Sequence, residues 1–119
     1  MAWRKSPPEL IARFDRALPS DARIERRKMF GYPAAFVNGN MMAGLHQENV
    51  LLRLAEADRA HLAAEGGVPF EPSPGRRMRE YMVLPAAAAA EARVMKTWMK
   101  RSFAFVASLP AKHKQGRDA

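Results

Sequence analysis

Residues 34–45 read AAFVNGNMMAGL, and this stretch decides the fold. Two short apolar runs flank Asn38-Gly39, the strongest short-range signal for a β-hairpin, because a type I′ turn needs positive φ at both central residues. The runs themselves therefore predict a pair of antiparallel strands. A third apolar run at residues 50–54 follows a polar turn and predicts the next strand of the same sheet.

Helical periodicity lies on both sides of this block. Apolar residues recur at helical spacing over about residues 7–18, with Ser6 as a candidate N-cap and a proline in the first turn. A shorter helix is predicted for about residues 55–65, ending at a glycine pair. Residues 68–70 and 77–84 have the composition of two more extended segments.

The last helix, about residues 86–109, has the clearest pattern. At 100° per residue its apolar and aromatic side chains fall on one side and predict a core-facing stripe. The members of that stripe are Val94, Met95, Trp98, Met99, Ser102, Phe105, Val106 and Leu109. The opposite side is basic and carries Arg93, Lys96, Lys100 and Arg101.

These elements predict an α+β fold, a two-layer sandwich in the order α-β-β-β-α-β-β-α. We expect a mainly antiparallel sheet of about five strands, covered by the first and last helices. At 119 residues the chain is long enough for one domain with its own core. We place that domain at residues 1–110 and a basic tail at residues 111–119.

Composition excludes several kinds of site. The chain has no cysteine, which removes disulfides, thiolate metal sites and cysteine nucleophiles. It has no apolar run of ~18 residues, and its N-terminus lacks the apolar core of a secretory signal. We therefore expect a cytoplasmic protein without membrane contact. The net charge of +8 favours polyanionic or acidic partners, although it also serves solubility.

A basic loop is the second candidate interaction site, after the basic side of the last helix. Pro74-Gly75 is followed by Arg76, Arg77 and Arg79. Guanidinium groups beside loop N–H groups could grip phosphate. The alternative is a solvated turn whose arginines pair with Glu71 and Glu80. The candidate polyanion- or partner-binding residues are thus Arg76, Arg77, Arg79, Arg93, Lys96, Lys100 and Arg101.

No pattern for catalysis is present. None of His46, His61 and His113 is placed with a second histidine or an acid at a spacing that predicts a metal site. The sequence lacks a serine nucleophile elbow and a phosphate-binding P-loop. We therefore predict a protein that is not an enzyme and that needs no metal or organic cofactor.

An ordered set of short motifs resembles the N-terminal domain of the TfoX/Sxy family. The motifs are Arg27-Lys28-Met29-Phe30-Gly31, Phe36-Val37-Asn38-Gly39-Asn40-Met41, Leu52-Arg53-Leu54 and Pro69-Phe70-Glu71-Pro72 with Pro74-Gly75-Arg76, then Met78 and Tyr81. One departure is Gly31-Tyr32-Pro33, where many relatives have a glycine pair. Only a short tail follows Leu109, so we expect the N-terminal domain to stand alone.

The resemblance implies an α+β sandwich and a regulatory role. Full-length members are linked to competence gene expression, act with the cyclic-AMP receptor protein, and carry a second domain with helix-hairpin-helix character. The family offers no catalytic or cofactor residues.

The expected function is that of an accessory regulatory protein. It acts through contacts with a protein partner, with weak and sequence-nonspecific nucleic-acid binding at most. Two alternatives stay open. One is a protein–protein adaptor or homodimeric module, which should expose an apolar patch of at least several hundred Å². The other is a small-molecule-binding protein or enzyme whose site is not visible in the sequence.

Overall fold

The structure is a computed structural model that describes residues 5–112 of the chain. Its elements follow in the order α1 (Pro8–Ala17), β1 (Ile24–Met29), β2 (Tyr32–Val37), β3 (Asn40–His46), β4 (Asn49–Arg53), α2 (Glu56–Ala64), β5 (Val68–Pro69), β6 (Tyr81–Val83), α3 (Ala86–Ala89) and α4 (Ala92–Ala107). One six-stranded sheet has the order β1-β2-β3-β4-β6-β5, and its neighbouring strands are antiparallel. The predicted α+β class is confirmed. Most of the predicted tail, from residue 113 on, lies outside the described residues.

Two hairpin turns share one backbone geometry. Asn38 and Gly39 have φ of 53° and 83°, which confirms the predicted type I′ turn between β2 and β3. Phe30 and Gly31 have φ of 54° and 86° and join β1 to β2 in the same way. The second turn was not predicted, because phenylalanine is not a residue that favours positive φ.

The strand β1 was missed because its sequence, IERRKM, has no alternation of apolar and polar residues. It is an edge strand, paired only with β2. Charged side chains on an edge strand hinder its pairing with a strand of another molecule. At the other edge, β5 is only two residues long and contains Pro69. Both edges of the sheet therefore resist the addition of another strand.

The helices cover one face of the sheet. α4 packs against β2, β3 and β4, and α1 packs beside α4. The predicted stripe of α4 is confirmed, since Met95, Met99, Ser102 and Val106 are fully buried and Trp98 nearly so. On the sheet, the core includes residues that are neighbours across the three central strands, namely Ala35, Ala43 and Leu52.

Three local predictions were wrong. Ser6 does not cap α1, because its hydroxyl instead donates a hydrogen bond to the carbonyl of Gln47, at 2.7 Å. The last helix is broken at Glu91, whose φ of −104° and ψ of 115° separate α3 from α4. The strand predicted for residues 77–84 is confined to Tyr81–Val83, since only these residues pair with β4.

A β-bulge on β3 shapes the contact between the sheet and α4. The register passes from Ala35↔Ala43 to Phe36↔Met41, which leaves Met42 without a partner residue on β2. The hydroxyl of Ser102, buried on α4, donates to the carbonyl of Met42 at 2.7 Å. This hydrogen bond ties the helix to the irregular point of the sheet. Within residues 5–112, no helix has the length and apolar character needed to cross a bilayer.

Candidate functional site

The loop between β5 and β6 carries three of the seven predicted site residues, Arg76, Arg77 and Arg79. Its base is closed by backbone hydrogen bonds from Phe70 N–H to the carbonyl of Tyr81 and from Met78 N–H to the carbonyl of Phe70, both 2.9 Å. The Tyr81 hydroxyl donates to the carbonyl of Met41 at 3.1 Å. Burial raises the pKa of that phenol, while the neighbouring Arg53 opposes the shift. The loop is thus anchored at both ends, although its tip is exposed.

Successive side chains at the end of this loop point to opposite sides. Arg77 and Arg79 line a groove between the loop and α2, whereas Met78 lines a cleft on the sheet. An extended chain alternates its side chains in this way. One short segment therefore separates a basic groove from an apolar cleft.

The basic groove contains an arginine that the sequence analysis did not place there. Arg59 of α2 lines it together with Arg77 and Arg79, and the groove has a volume of about 640 Å³. The Arg59 guanidinium donates to the carbonyl of Leu54 at 2.6 Å, which fixes its position. Glu56 is the acid among the lining residues, so the cations outnumber the acid in the groove. We call this set, Arg59, Arg77 and Arg79, the arginine groove.

The acids expected to neutralise the loop arginines have other partners. Glu80 accepts a hydrogen bond from the Arg53 guanidinium at 2.8 Å. Glu71 accepts a hydrogen bond from the N–H of Gly75 at 2.7 Å. Within the described residues, Arg76, Arg77 and Arg79 form no ion pair, so the predicted pairing with Glu71 and Glu80 is wrong, although the turn is exposed as that alternative expected.

One part of the phosphate hypothesis is also wrong. The Gly75 N–H already donates to the Glu71 carboxylate, and the Arg76 N–H donates to the carbonyl of Ser73 at 2.9 Å. These donors are engaged inside the loop. Any anion held here must therefore be held by guanidinium groups rather than by these backbone groups.

The basic side of the last helix divides into an exposed part and a paired part. Arg93, Lys96 and Lys100 are exposed on α4. Lys96 also lines a small hollow, of about 120 Å³, with Arg13 and Arg16 of α1. The packing of α1 beside α4 thus adds cations to this side, an arrangement that depends on residues far apart in the sequence.

Arg101 is the paired member of that side. Its guanidinium lies 2.9 Å from a carboxylate oxygen of Asp58 and 4.9 Å from the centroid of the Trp98 ring. The Arg101 and Asp58 side chains are 38% and 27% exposed, so the pair is partly screened by water. This charge connects α4 to α2 and is less available to an outside partner than the charges of Arg93 and Lys100.

The apolar cleft lies on the sheet face that the helices leave uncovered. Its volume is about 330 Å³. The lining residues are Met29, Phe30, Tyr32, Pro33, Ala34, Met41, Gly44, Leu45, His46, Gln47, Leu51, Phe70, Pro72 and Met78. Sequence reasoning missed it because it joins four separate segments whose register and loop position no local pattern fixes.

The histidines give no metal site in the described part of the chain. Residues 5–112 contain no group of three or more potential metal-binding side chains. One detail corrects the sequence analysis, since a ring nitrogen of His61 lies 2.9 Å from a carboxylate oxygen of Glu65, four residues later. His113 lies outside the described residues.

Comparison with known proteins identifies the family. No curated protein and no solved structure gives a significant match to the chain. A family model described as the TfoX N-terminal domain matches residues 16–106, from the end of α1 to the end of α4, which is most of the chain. The match includes the sheet, the loop arginines and the basic side of α4. The chain therefore belongs to the TfoX N-terminal domain family.

Proposed function

We propose that this protein is a non-enzymatic accessory regulatory protein of the cytoplasm. It binds an acidic region of a protein partner and binds nucleic acids only weakly and without sequence preference. The observation that carries the proposal is the arginine groove, where Arg77 and Arg79 are exposed, Arg59 is half-buried, and none of the three has an ion pair within the described residues. Membership of the TfoX N-terminal domain family supports a regulatory rather than a catalytic role.

Unpaired surface arginines favour anionic partners for a physical reason. A guanidinium group has a rigid fork of donors that matches carboxylate and phosphate groups. The whole chain has a net charge of +8. Part of this positive charge comes from the arginine groove and from the exposed α4 cations, Arg93, Lys96 and Lys100. A field of one sign raises the encounter rate with polyanions.

The same surfaces argue against reading of DNA sequence. Base-specific contacts require side chains that reach base edges, usually from a helix that fits the major groove. α4 uses its aromatic side in the core, and its outward side offers Arg93, Lys96 and Lys100. These long cations suit phosphate contacts, which position a protein on DNA but carry no sequence information.

The first test is a DNA titration. Fluorescence anisotropy compares a random duplex with a candidate promoter duplex at about 50 mM and about 200 mM salt. We expect both duplexes to bind alike, with Kd on the order of 10⁻⁴–10⁻⁶ M near physiological salt, and to weaken together as salt rises. Tight binding to one duplex that persists at high salt would contradict the proposal.

A matched pair of variants locates the surface. Arg77→Gln/Arg79→Gln removes two charges from the arginine groove. Arg23→Gln/Arg27→Gln removes the same number from arginines that are already paired with acids, at 3.0 Å each. We expect the first variant to reduce the slope of log K for DNA binding against log salt concentration by about 1 for each phosphate that the protein no longer neutralises. The second variant should change this slope less. Equal effects would show that only net charge matters.

The second test is for the protein partner. Pull-down from host extract compares the wild-type protein with an Arg76→Glu/Arg77→Glu/Arg79→Glu variant. We expect an acidic protein that the wild type retains and the variant loses, with a shallower salt response than DNA binding, because charges at the rim of a protein interface act mainly on the association rate. If the variant retains the same proteins as the wild type, the loop arginines are not the partner-binding site.

The homodimer alternative has less support. Among the described residues, the large hydrophobic side chains that are mostly exposed are Phe30, at 88%, and Val68, at 53%. Phe30 lines the apolar cleft and Val68 does not, so these two side chains do not form one broad apolar patch of the kind that an obligate dimer buries. Light scattering at high protein concentration tests this alternative, and a stable dimer would restore it.

A further inference from the structure

The apolar cleft has the size and shape of a small-molecule site. Its volume of about 330 Å³ is at the lower end of the range typical for ligand pockets. Ala34, Gly44 and Leu51, neighbours across β2, β3 and β4, form part of the sheet side of the cleft. Phe70 and Met78 of the loop line it as well. The cleft is therefore a partly open concavity between the sheet and the loop rather than flat sheet surface.

Part of the cleft lining is shielded from water. Ala34, Leu51 and Phe70 line the cleft and are only 1%, 3% and 7% exposed, whereas Phe30, another lining residue, is 88% exposed. A flat docking face for a protein would leave all such side chains open to water. The shielded lining suits a small ligand that enters the cleft better than the surface of a folded partner.

A glycine helps to keep the floor open. A Cβ atom at Gly44 would lie 3.0 Å from the terminal methyl carbon of Met41 and 3.6 Å from Cβ of Ala34. Its backbone is not in the left-handed region, so the position would accept a β-branched residue without strain in φ. Because the backbone does not require glycine here, Gly44 offers a direct way to fill the cleft.

A polar group lies at one end of the otherwise apolar lining. The His46 ring contacts the rings of Tyr32 and Phe70, with centroids 5.4 Å and 5.5 Å away. Among the described residues, no protein group is hydrogen-bonded to the His46 ring nitrogens. Gln47, the next residue in the chain, also lines the cleft, and none of the lining residues is acidic. Imidazole and amide N–H groups in a cleft without carboxylates suit a ligand with an anionic acceptor group.

We propose that this cleft binds a small planar aromatic carboxylate. The ring lies between the sheet residues and the loop, against Phe70 and Met78, and the carboxylate accepts hydrogen bonds from His46 and Gln47. The few polar groups fix the orientation, while the apolar walls supply most of the contact. The site is separate from the arginine groove, so this inference does not depend on the proposed function.

The test uses 2-naphthoate and the neutral 2-naphthalenemethanol as probes in NMR titrations of the ¹⁵N-labelled full-length chain. We expect saturable shifts of the Gly44, His46 and Phe70 amides with 2-naphthoate, with Kd on the order of 0.1–1 mM for a probe of this size. The neutral probe should bind about tenfold more weakly, because it loses the charge-assisted hydrogen bond. Equal affinities would overturn the assignment of a carboxylate, and the absence of saturable cleft shifts would overturn the site.

Two variants and a control sharpen the result. His46→Phe keeps a ring between its aromatic neighbours but removes the N–H, so 2-naphthoate should weaken about tenfold while the neutral probe is unchanged. Gly44→Val fills the cleft and should abolish binding of both probes. Arg23→Gln lowers the net charge at a residue that does not line the cleft and should leave both affinities unchanged. If Gly44→Val does not fold, the probe pair and His46→Phe decide, and equal weakening of both probes by His46→Phe would overturn the proposal.

Discussion

The hydrogen bond from Ser102 to the carbonyl of Met42 makes the most direct test of how α4 is fixed to the sheet. The donor is fully buried, the distance is 2.7 Å, and the acceptor belongs to the bulged residue of β3. Replacing Ser102 with alanine removes one small polar group and leaves the carbonyl, in a site without water access, lacking this donor. A buried polar group left without its partner costs about 1–3 kcal/mol.

That free energy converts into a measurable change. For a domain of this size, 1 kcal/mol lowers Tm by roughly 4 °C, so Ser102→Ala should lower it by roughly 4–12 °C. Urea unfolding followed by circular dichroism should give the same loss through a lower midpoint with an unchanged slope. The control is Ser108→Ala, an exposed serine at the end of α4 whose hydroxyl donates to the carbonyl of Phe105 at 2.6 Å, where the change should stay within about 0.5 kcal/mol. Equal losses in the two variants would refute the reasoning, because burial of the Ser102 bond would then have no consequence.

The remaining predictions concern turns and a surface pair. Phe30→Asn should stabilise the protein by about 0.5–1 kcal/mol in urea unfolding, because asparagine tolerates the φ of 54° and the phenylalanine ring is 88% exposed. A loss of stability would mean that contacts of the Phe30 ring stabilise the fold by more than the positive φ of phenylalanine destabilises it. Gly39→Ala should instead cost about 1–3 kcal/mol in the same assay, since its φ is 83° and a Cβ would meet the backbone that follows α4; an unchanged midpoint would contradict this. NMR titration should give Asp21 a pKa of about 2, lowered from 3.8 first by its side-chain hydrogen bond with Arg23. Because this pKa is lowered in the folded state, the stabilisation is present above pH 3.8 and is lost as pH falls through about 2. Arg23→Ala should reduce both effects without abolishing them, because the N–H of residue 23 still donates to the Asp21 carboxylate, at 2.9 Å. An unchanged Asp21 pKa in that variant would remove the Arg23 side chain as the main cause.

The parts of the fold that the sequence determined are those governed by local rules. Asn38-Gly39 specifies a turn because its backbone conformation is rare for most other residues. The stripe of α4 specifies a helix face because a period of 3.6 residues places Met95, Met99 and Ser102 on one side. The loop arginines could likewise be named in advance, because a charged segment next to proline and glycine is almost always exposed.

Other features were decided only by tertiary structure. The strand β1 has no apolar alternation and is a strand because β2 offers it a partner at the sheet edge. Arg59 lines the same groove as Arg77 and Arg79 because α2 lies beside the loop. Glu80 forms its ion pair with Arg53, whose guanidinium lies 2.8 Å away. Such choices depend on distances between residues that are far apart in the chain, and a local pattern contains no information about them.

The apolar cleft is the clearest case of this kind. Gly44, His46 and Phe70 come from different segments and meet only because the strand register and the loop anchor bring them together. Each has an ordinary interpretation in the sequence, as a strand residue, a strand end or a short extended segment. The sequence by itself determined the α+β fold and the exposed cations, since turn and helix signals act over a few residues. The apolar cleft and the arginine groove were decided by packing, which acts between residues that are far apart in the sequence.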